Sequence, residues 1–185
     1  MNSTLTLLGT SFFILTSAQA IEEKPFDQIL SFNTVSFHVY SKNDSSLNNV
    51  TITPKGLKKG NTPITVEADG TVTGAEIGDI NHDGAPELYI YTTSAGSGSY
   101  GGLIAYSTNK NLSVSPIYLP PLDEDKVHGK GYMGHDSFKL DTSFLIRSFP
   151  IYKEGDSNAA PSGGTRTLKY QLIPGESSWT LSLSQ

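Results

Sequence analysis

Cysteine is absent from the 185 residues, so disulfide scaffolds, thiolate metal sites and cysteine nucleophiles are excluded at once. Charge is sparse as well. Asp, Glu, Lys and Arg make up 17% of the chain, fewer than a disordered chain normally carries, while 36% is hydrophobic. No Lys/Arg block occurs, and 13 basic residues against 18 acidic ones leave a net charge of −5. Phosphate backbones and anionic lipid attract basic faces, so neither nucleic acid nor a membrane surface is an expected partner. A sustained helical stripe is missing too. What the chain holds in quantity is glycine, 18 residues, and tyrosine, 9 residues, over a length suited to one core.

Residues Met1–Ala20 carry no Asp, Glu, Lys or Arg. Leu5-Thr6-Leu7-Leu8 and Phe12-Phe13-Ile14-Leu15 form an apolar stretch, and Ala18-Gln19-Ala20 supplies the small-x-small pattern that signal peptidase accepts. The stretch is short for a bilayer span and no stop-transfer pattern follows. The expectation is a cleaved secretory signal over residues 1–20 and one domain over residues 21–185. No cysteine stands at the cleavage point, so no lipid anchor is expected. A secreted chain without cysteines suits a periplasm.

Beyond that point the patterning has period two. Leu168-Lys169-Tyr170-Gln171-Leu172 alternates strictly, and Trp179-Thr180-Leu181-Ser182-Leu183 repeats the pattern. Alternation of this kind puts one face of a strand on a core and the other in water. Ile29–Tyr40, Val50–Thr53, Ile64–Glu67, Thr71–Ile77, Leu88–Thr93, Leu103–Ser107, Val114–Leu119 and Phe144–Tyr152 read as further strands. Between them lie turn signals such as Ala68-Asp69-Gly70, Asp83-Gly84 and Glu154-Gly155-Asp156. Only Glu22–Leu30 or Asp123–Val127 offers a short helix. The fold class expected is all-β, an antiparallel β-sandwich with at most one or two short helices.

Three loops hold the residue types that do chemistry. In Asp79-Ile80-Asn81-His82-Asp83-Gly84-Ala85-Pro86-Glu87, oxygen ligands stand at positions 1, 3, 5 and 9 with glycine at 6. That spacing fits a hard cation such as Ca²⁺ at Asp79, Asn81, Asp83 and Glu87. It also fits an Asx-type hairpin turn, whose side chains satisfy backbone N–H groups without a metal, so no metal is assigned from the spacing. The second loop, Thr93–Gly102, contains Gly96-x-Gly98-x-x-Gly101, formally a dinucleotide fingerprint. Strand rather than helix follows it, so no helix N-terminus is there to receive a pyrophosphate. Ser97, Ser99 and Tyr100 instead give this loop a cluster of hydroxyls. The third, His128–Asp136, pairs glycines with two histidines and an aspartate, which suit a metal or a His135–Asp136 catalytic pair. No serine or threonine nucleophile can be matched to that pair, so packing or recognition is the expected role and no enzyme activity is expected.

At these residues the chain resembles the periplasmic inhibitors of invertebrate-type (I-type) lysozyme. Ser97-Gly98-Ser99-Tyr100 is similar to that family's Ser-Gly-x-Tyr loop. Gly134-His135-Asp136-Ser137-Phe138, Arg147-Ser148-Phe149-Pro150-x-Tyr152 and Pro161-x-Gly163-Gly164-x-Arg166 are similar to its C-terminal half. The resemblance covers roughly residues 75–176 and implies a β-sandwich whose function is binding, with an I-type lysozyme as partner, no cofactor and a homodimeric state. It implies that Ser97, Gly98, Ser99, Tyr100 and Gly101 enter the lysozyme cleft. Ser97 would then donate to a catalytic carboxyl and Tyr100 would act as the aromatic anchor. Tyr132, Gly134 and His135 form the expected secondary loop, flanking or supporting the first.

Overall fold

The computed structural model describes residues 24–184. The expected signal segment lies outside the described residues. Twelve strands run in chain order: β1 (Phe26–Phe32), β2 (Val35–Ser41), β3 (Leu47–Lys55), β4 (Ile64–Asp69), β5 (Thr71–Gly78), β6 (Glu87–Thr93), β7 (Gly101–Ser107), β8 (Ser115–Tyr118), β9 (Ser137–Leu140), β10 (Leu145–Pro150), β11 (Thr165–Pro174) and β12 (Trp179–Leu183). One 3₁₀ turn, Leu122–Glu124, separates β8 from β9. The fold is all-β and sandwich-like. A four-stranded sheet in the order β1-β2-β3-β4 packs against an eight-stranded sheet in the order β5-β6-β7-β8-β12-β11-β10-β9.

Side-chain alternation explains the packing. In β2, Val35, Phe37 and Val39 are buried while Ser36, His38 and Tyr40 are only partly covered. With Val50 and Ile52 of β3 they meet Val72, Leu88, Ile90 and Tyr106 from the larger sheet in one core. The other face of the larger sheet curls around a second core. Tyr89, Tyr91 and Ala105 meet Leu145, Phe149, Leu168, Tyr170, Leu172 and Leu181 there. The curl brings the edge strands β5 and β9 together, where the Leu140 N–H donates to Glu76 Oε2 at 2.9 Å. Strand β6 belongs to both cores: Leu88 and Ile90 face one, Tyr89 and Tyr91 the other. Each such side chain contributes about 1.5–3 kcal/mol by leaving water.

Three expectations need correction. Phe26–Leu30 is strand, not helix, because it pairs along its whole length with β2 and puts Phe26, Leu30 and Phe32 on one partly buried face. The run from Ile29 to Tyr40 is two strands, divided by a tight turn in which Asn33 adopts φ 52°. Pairing is not antiparallel throughout, since β8 and β12 run parallel with Trp179 opposite Ile117. That geometry needs a long crossover, and residues between Tyr118 and Trp179 supply it.

Leu181 is fully buried in the curled sheet, so Leu181→Ala is expected to lower the unfolding free energy by about 2–5 kcal/mol in urea titration. Ile29, 73% exposed, is expected to tolerate alanine within about 0.5 kcal/mol in the same assay.

Candidate functional site

The loop joining β6 to β7 is a finger closed on itself. The Ser94 N–H donates to the Tyr100 carbonyl at 2.9 Å, the Tyr100 N–H to Ser94 Oγ at 3.0 Å, and the Ser99 N–H to the Gly96 carbonyl at 2.9 Å. Ser99 takes the left-handed backbone at φ 43°. Ser97 is exposed at the tip, and Tyr100 keeps 47% of its surface in solvent. The Tyr100 ring lies against Gly98, where any Cβ would collide with it.

The third loop seen in the sequence braces this finger from beneath. The His135 N–H donates to the carbonyls of Gly98 and Ser99, at 2.9 and 3.1 Å. Gly134, at φ 91°, comes so close to the Gly98 carbonyl that a side chain there would displace the finger. The Tyr132 ring meets Tyr100 edge to face at 5.6 Å between centroids. From a third direction, Asn158 donates its amide to the Ser97 carbonyl, and its Oδ1 stands 3.2 Å from His135 Nε2. Tyr132, Gly134 and His135 thus gather around the Ser97–Gly101 segment.

A buried ion pair ties finger and brace to the barrel-like sheet. Arg147 reaches from β10, and its Nε donates to Asp136 Oδ1 at 2.6 Å; the side chains are 7% and 0% exposed. Asp136 Oδ2 accepts from the Gly101 N–H at 2.8 Å and from the Tyr132 hydroxyl at 2.7 Å. Arg147 Nη2 in turn donates to the Tyr132 oxygen at 2.7 Å. Every strong group in the cluster is paired, as burial in low dielectric requires. Burial alone would lower the Arg147 pKa, but the Asp136 carboxylate and its hydrogen bond raise it, so the guanidinium stays charged. Burial and the bond to Asp136 raise the Tyr132 pKa, against the pull of Arg147, so its hydroxyl keeps its proton. The guanidinium also lies 5.0 Å from the Tyr132 ring centroid and 5.4 Å from that of Phe138. Beside the finger runs an open groove of about 720 Å³, bordered by Tyr100, Leu103, Tyr118, Pro120, Tyr132 and Arg147.

His135 and Asp136 do not form a pair, because the carboxylate is already committed to Arg147, Tyr132 and Gly101 while the imidazole faces Asn158. His128 pairs instead with Asp125 at 2.7 Å. Sequence reasoning missed Asn158 and the structural roles of Asp136 and Arg147. An arginine at an inward position of a strand otherwise built from Leu145 and Phe149 is the signal that could have revealed the ion pair.

At the far end of β6 the side chains of the Asp79 loop make Asx-type hydrogen bonds, one of the two readings its residues offered. Asp79 accepts the N–H groups of Asp83 and Gly84, at 3.0 and 2.9 Å, and Asp83 Oδ1 accepts that of Ala85 at 2.9 Å. Beneath the turn, Glu87 is fully buried and its Oε2 accepts the Ile80 N–H at 3.2 Å. Burial, with Asp83 and Asp79 adding their charge against the Ile80 hydrogen bond, pushes the Glu87 carboxyl up to about 8. Among the described residues, no three His, Asp or Glu side chains stand together in an arrangement that could hold a metal by themselves. None of the described helices is long and apolar enough to cross a membrane.

No protein-family model, curated protein or solved structure matches the chain in comparison.

Asp136→Ala leaves the Arg147 charge buried without its partner and is expected to cost about 3–5 kcal/mol in urea unfolding. Hydrogen exchange at the Gly101 amide, which loses its acceptor, is expected to accelerate in the same variant.

Proposed function

We propose that the protein is a proteinaceous inhibitor of I-type lysozyme that acts by placing the Ser97–Gly101 finger in the active-site cleft. The observation that carries this reading is the finger itself: a narrow, braced loop that holds the Tyr100 ring half in solvent beside the exposed Ser97. The resemblance of Ser97-Gly98-Ser99-Tyr100 to the Ser-Gly-x-Tyr loop names the partner.

The chemistry is that of a plug. Glycosidases present two carboxyl groups at the scissile bond. A serine hydroxyl donates to such a group without carrying a charge of its own into the cleft, so no unpaired charge is buried. In this reading Ser97 is that donor. Tyr100 fills a sugar subsite with a flat apolar face and keeps a hydroxyl for its far edge. Gly98 leaves the approach clear, since its missing side chain is the room the Tyr100 ring occupies. The brace from His135 and Asn158 lowers the ordering cost of docking, because the loop has little freedom left to lose. A groove bordered by Tyr118 and Pro120 gives the cleft's rim an apolar surface to rest on. In this setting the protein acts in the periplasm, and a homodimer is the expected form.

The purified protein is expected to abolish cell-wall lysis by an I-type lysozyme and to leave chicken-type and goose-type enzymes less affected. Replacing both Ser97 and Tyr100 with alanine is expected to raise the inhibition constant roughly 30-fold or more, the effect of losing an anchor worth about 2 kcal/mol. The melting temperature should fall by only a few degrees, because Ser97 is exposed and the half-exposed Tyr100 ring loses one edge-to-face contact with Tyr132, a pair worth about 0.5–1.5 kcal/mol. An inhibition constant that does not move in this double variant rejects the assignment.

A further inference from the structure

We propose that the turn between β5 and β6 is a Ca²⁺ site formed by Asp79, Asn81, Asp83 and Glu87. The loop's own Asx hydrogen bonds explain the sequence pattern without a metal, so the inference rests on Glu87. This carboxylate is 0% exposed, and it points from the first residue of β6 back under the loop, where Oε2 takes the Ile80 N–H. Its second oxygen, Oε1, is buried and has no hydrogen-bond partner among the described residues. An oxygen left so costs of the order of 1–3 kcal/mol. The hydroxyl of Tyr89, two residues along the same face of β6, is buried without a partner as well.

Among the described residues no ion pair answers these oxygens. The ion pairs among the described residues are His38–Asp27, His128–Asp125 and Arg147–Asp136, and none involves Asp79, Asp83 or Glu87. Three acidic side chains and one amide oxygen therefore stand along one turn, and no ion pair among the described residues engages them. Oxygen-only donors select a hard cation over zinc or copper. Ca²⁺ accepts six to eight oxygens in irregular geometry, so the Asn81 amide oxygen and main-chain carbonyls can complete a set that the carboxylates alone do not. Mg²⁺ demands a small octahedron and keeps most of its water, which suits a buried protein carboxylate less well. The site lies at the opposite end of β6 from the Ser97–Gly101 finger, so the metal fastens the base of the strand that carries the finger.

The test uses the purified protein stripped with EGTA and titrated with CaCl₂ by calorimetry and thermal melting. One Ca²⁺ is expected to bind per chain. With a dissociation constant near 10⁻⁴ M, 10 mM CaCl₂ is expected to raise the melting temperature by roughly 5–10 °C. MgCl₂ at the same concentration is expected to do much less. Tb³⁺ should bind in the same place and emit on excitation of tyrosine, with Ca²⁺ displacing the signal. Asp83→Ala, in the half-buried part of the loop, and Glu87→Gln are each expected to remove the Ca²⁺ response, and the Tb³⁺ assay needs neither variant to be stable. Ser97→Ala with Tyr100→Ala should leave Ca²⁺ binding unchanged, which separates this site from the finger. Absence of binding heat, of a melting shift and of displaceable Tb³⁺ emission overturns the proposal, as does a full Ca²⁺ response in both loop variants.

Discussion

The pairing of Arg147 with Asp136 is the constraint on which the finger's position depends. Two charges removed from water lose several kcal/mol of hydration each, and only close contact with further hydrogen bonds offsets that loss. Here the contact is 2.6 Å, and the remaining Asp136 oxygen is filled by the Gly101 N–H and the Tyr132 hydroxyl. Each partner comes from a different part of the chain: β10, the start of β7 and the His128–Asp136 loop. One carboxylate therefore ties β7 to β10, which are not neighbours in their sheet, and both of them to the His128–Asp136 loop. A hydrophobic group of the same volume could fill the space but could not hold the Gly101 N–H at the root of the finger.

Strand β6 connects the two ends of the molecule where polar groups gather. Its residues from Glu87 to Thr92 are all buried, wedged between the four-stranded sheet and the interior of the curled one. A strand covered on both faces has little room to shift, so its ends inherit fixed positions. One end delivers Glu87 beneath the acidic turn, and the other launches the loop that carries Ser97 and Tyr100. Glycine would normally leave such a loop mobile. The His135 and Asn158 hydrogen bonds and the Tyr132 ring restrain it.

Period-two alternation made most of the strands legible, because a half-buried strand imprints its environment on every second residue. The finger was legible too, as a cluster of glycines and hydroxyls between two strand-like runs. Phe26–Leu30 was not, since a strand lying at the edge of a sheet buries only part of one face and its apolar residues fit a helix as well. The 3₁₀ turn Leu122–Glu124 fell where a short helix was expected, and Asp125 ends it by taking up the N–H groups of Val127 and His128. The parallel contact of β8 with β12 left no mark in the residues, because parallel and antiparallel neighbours demand the same side chains.

By itself the sequence determined the all-β class, the loops that carry polar chemistry and the identity of the groups each loop presents. These are local properties, fixed by side-chain periodicity and by where glycine permits a turn. Tertiary structure alone decided which of those groups meet. It turned Asp136 away from His135 and toward Arg147, brought Asn158 to the Ser97 carbonyl across a large sequence separation, and sealed Glu87 under the Asp79 turn. The physical reason is that burial and hydrogen-bond satisfaction are properties of a folded neighbourhood. A carboxylate in the chain carries no record of which donor, or which cation, will stand beside it.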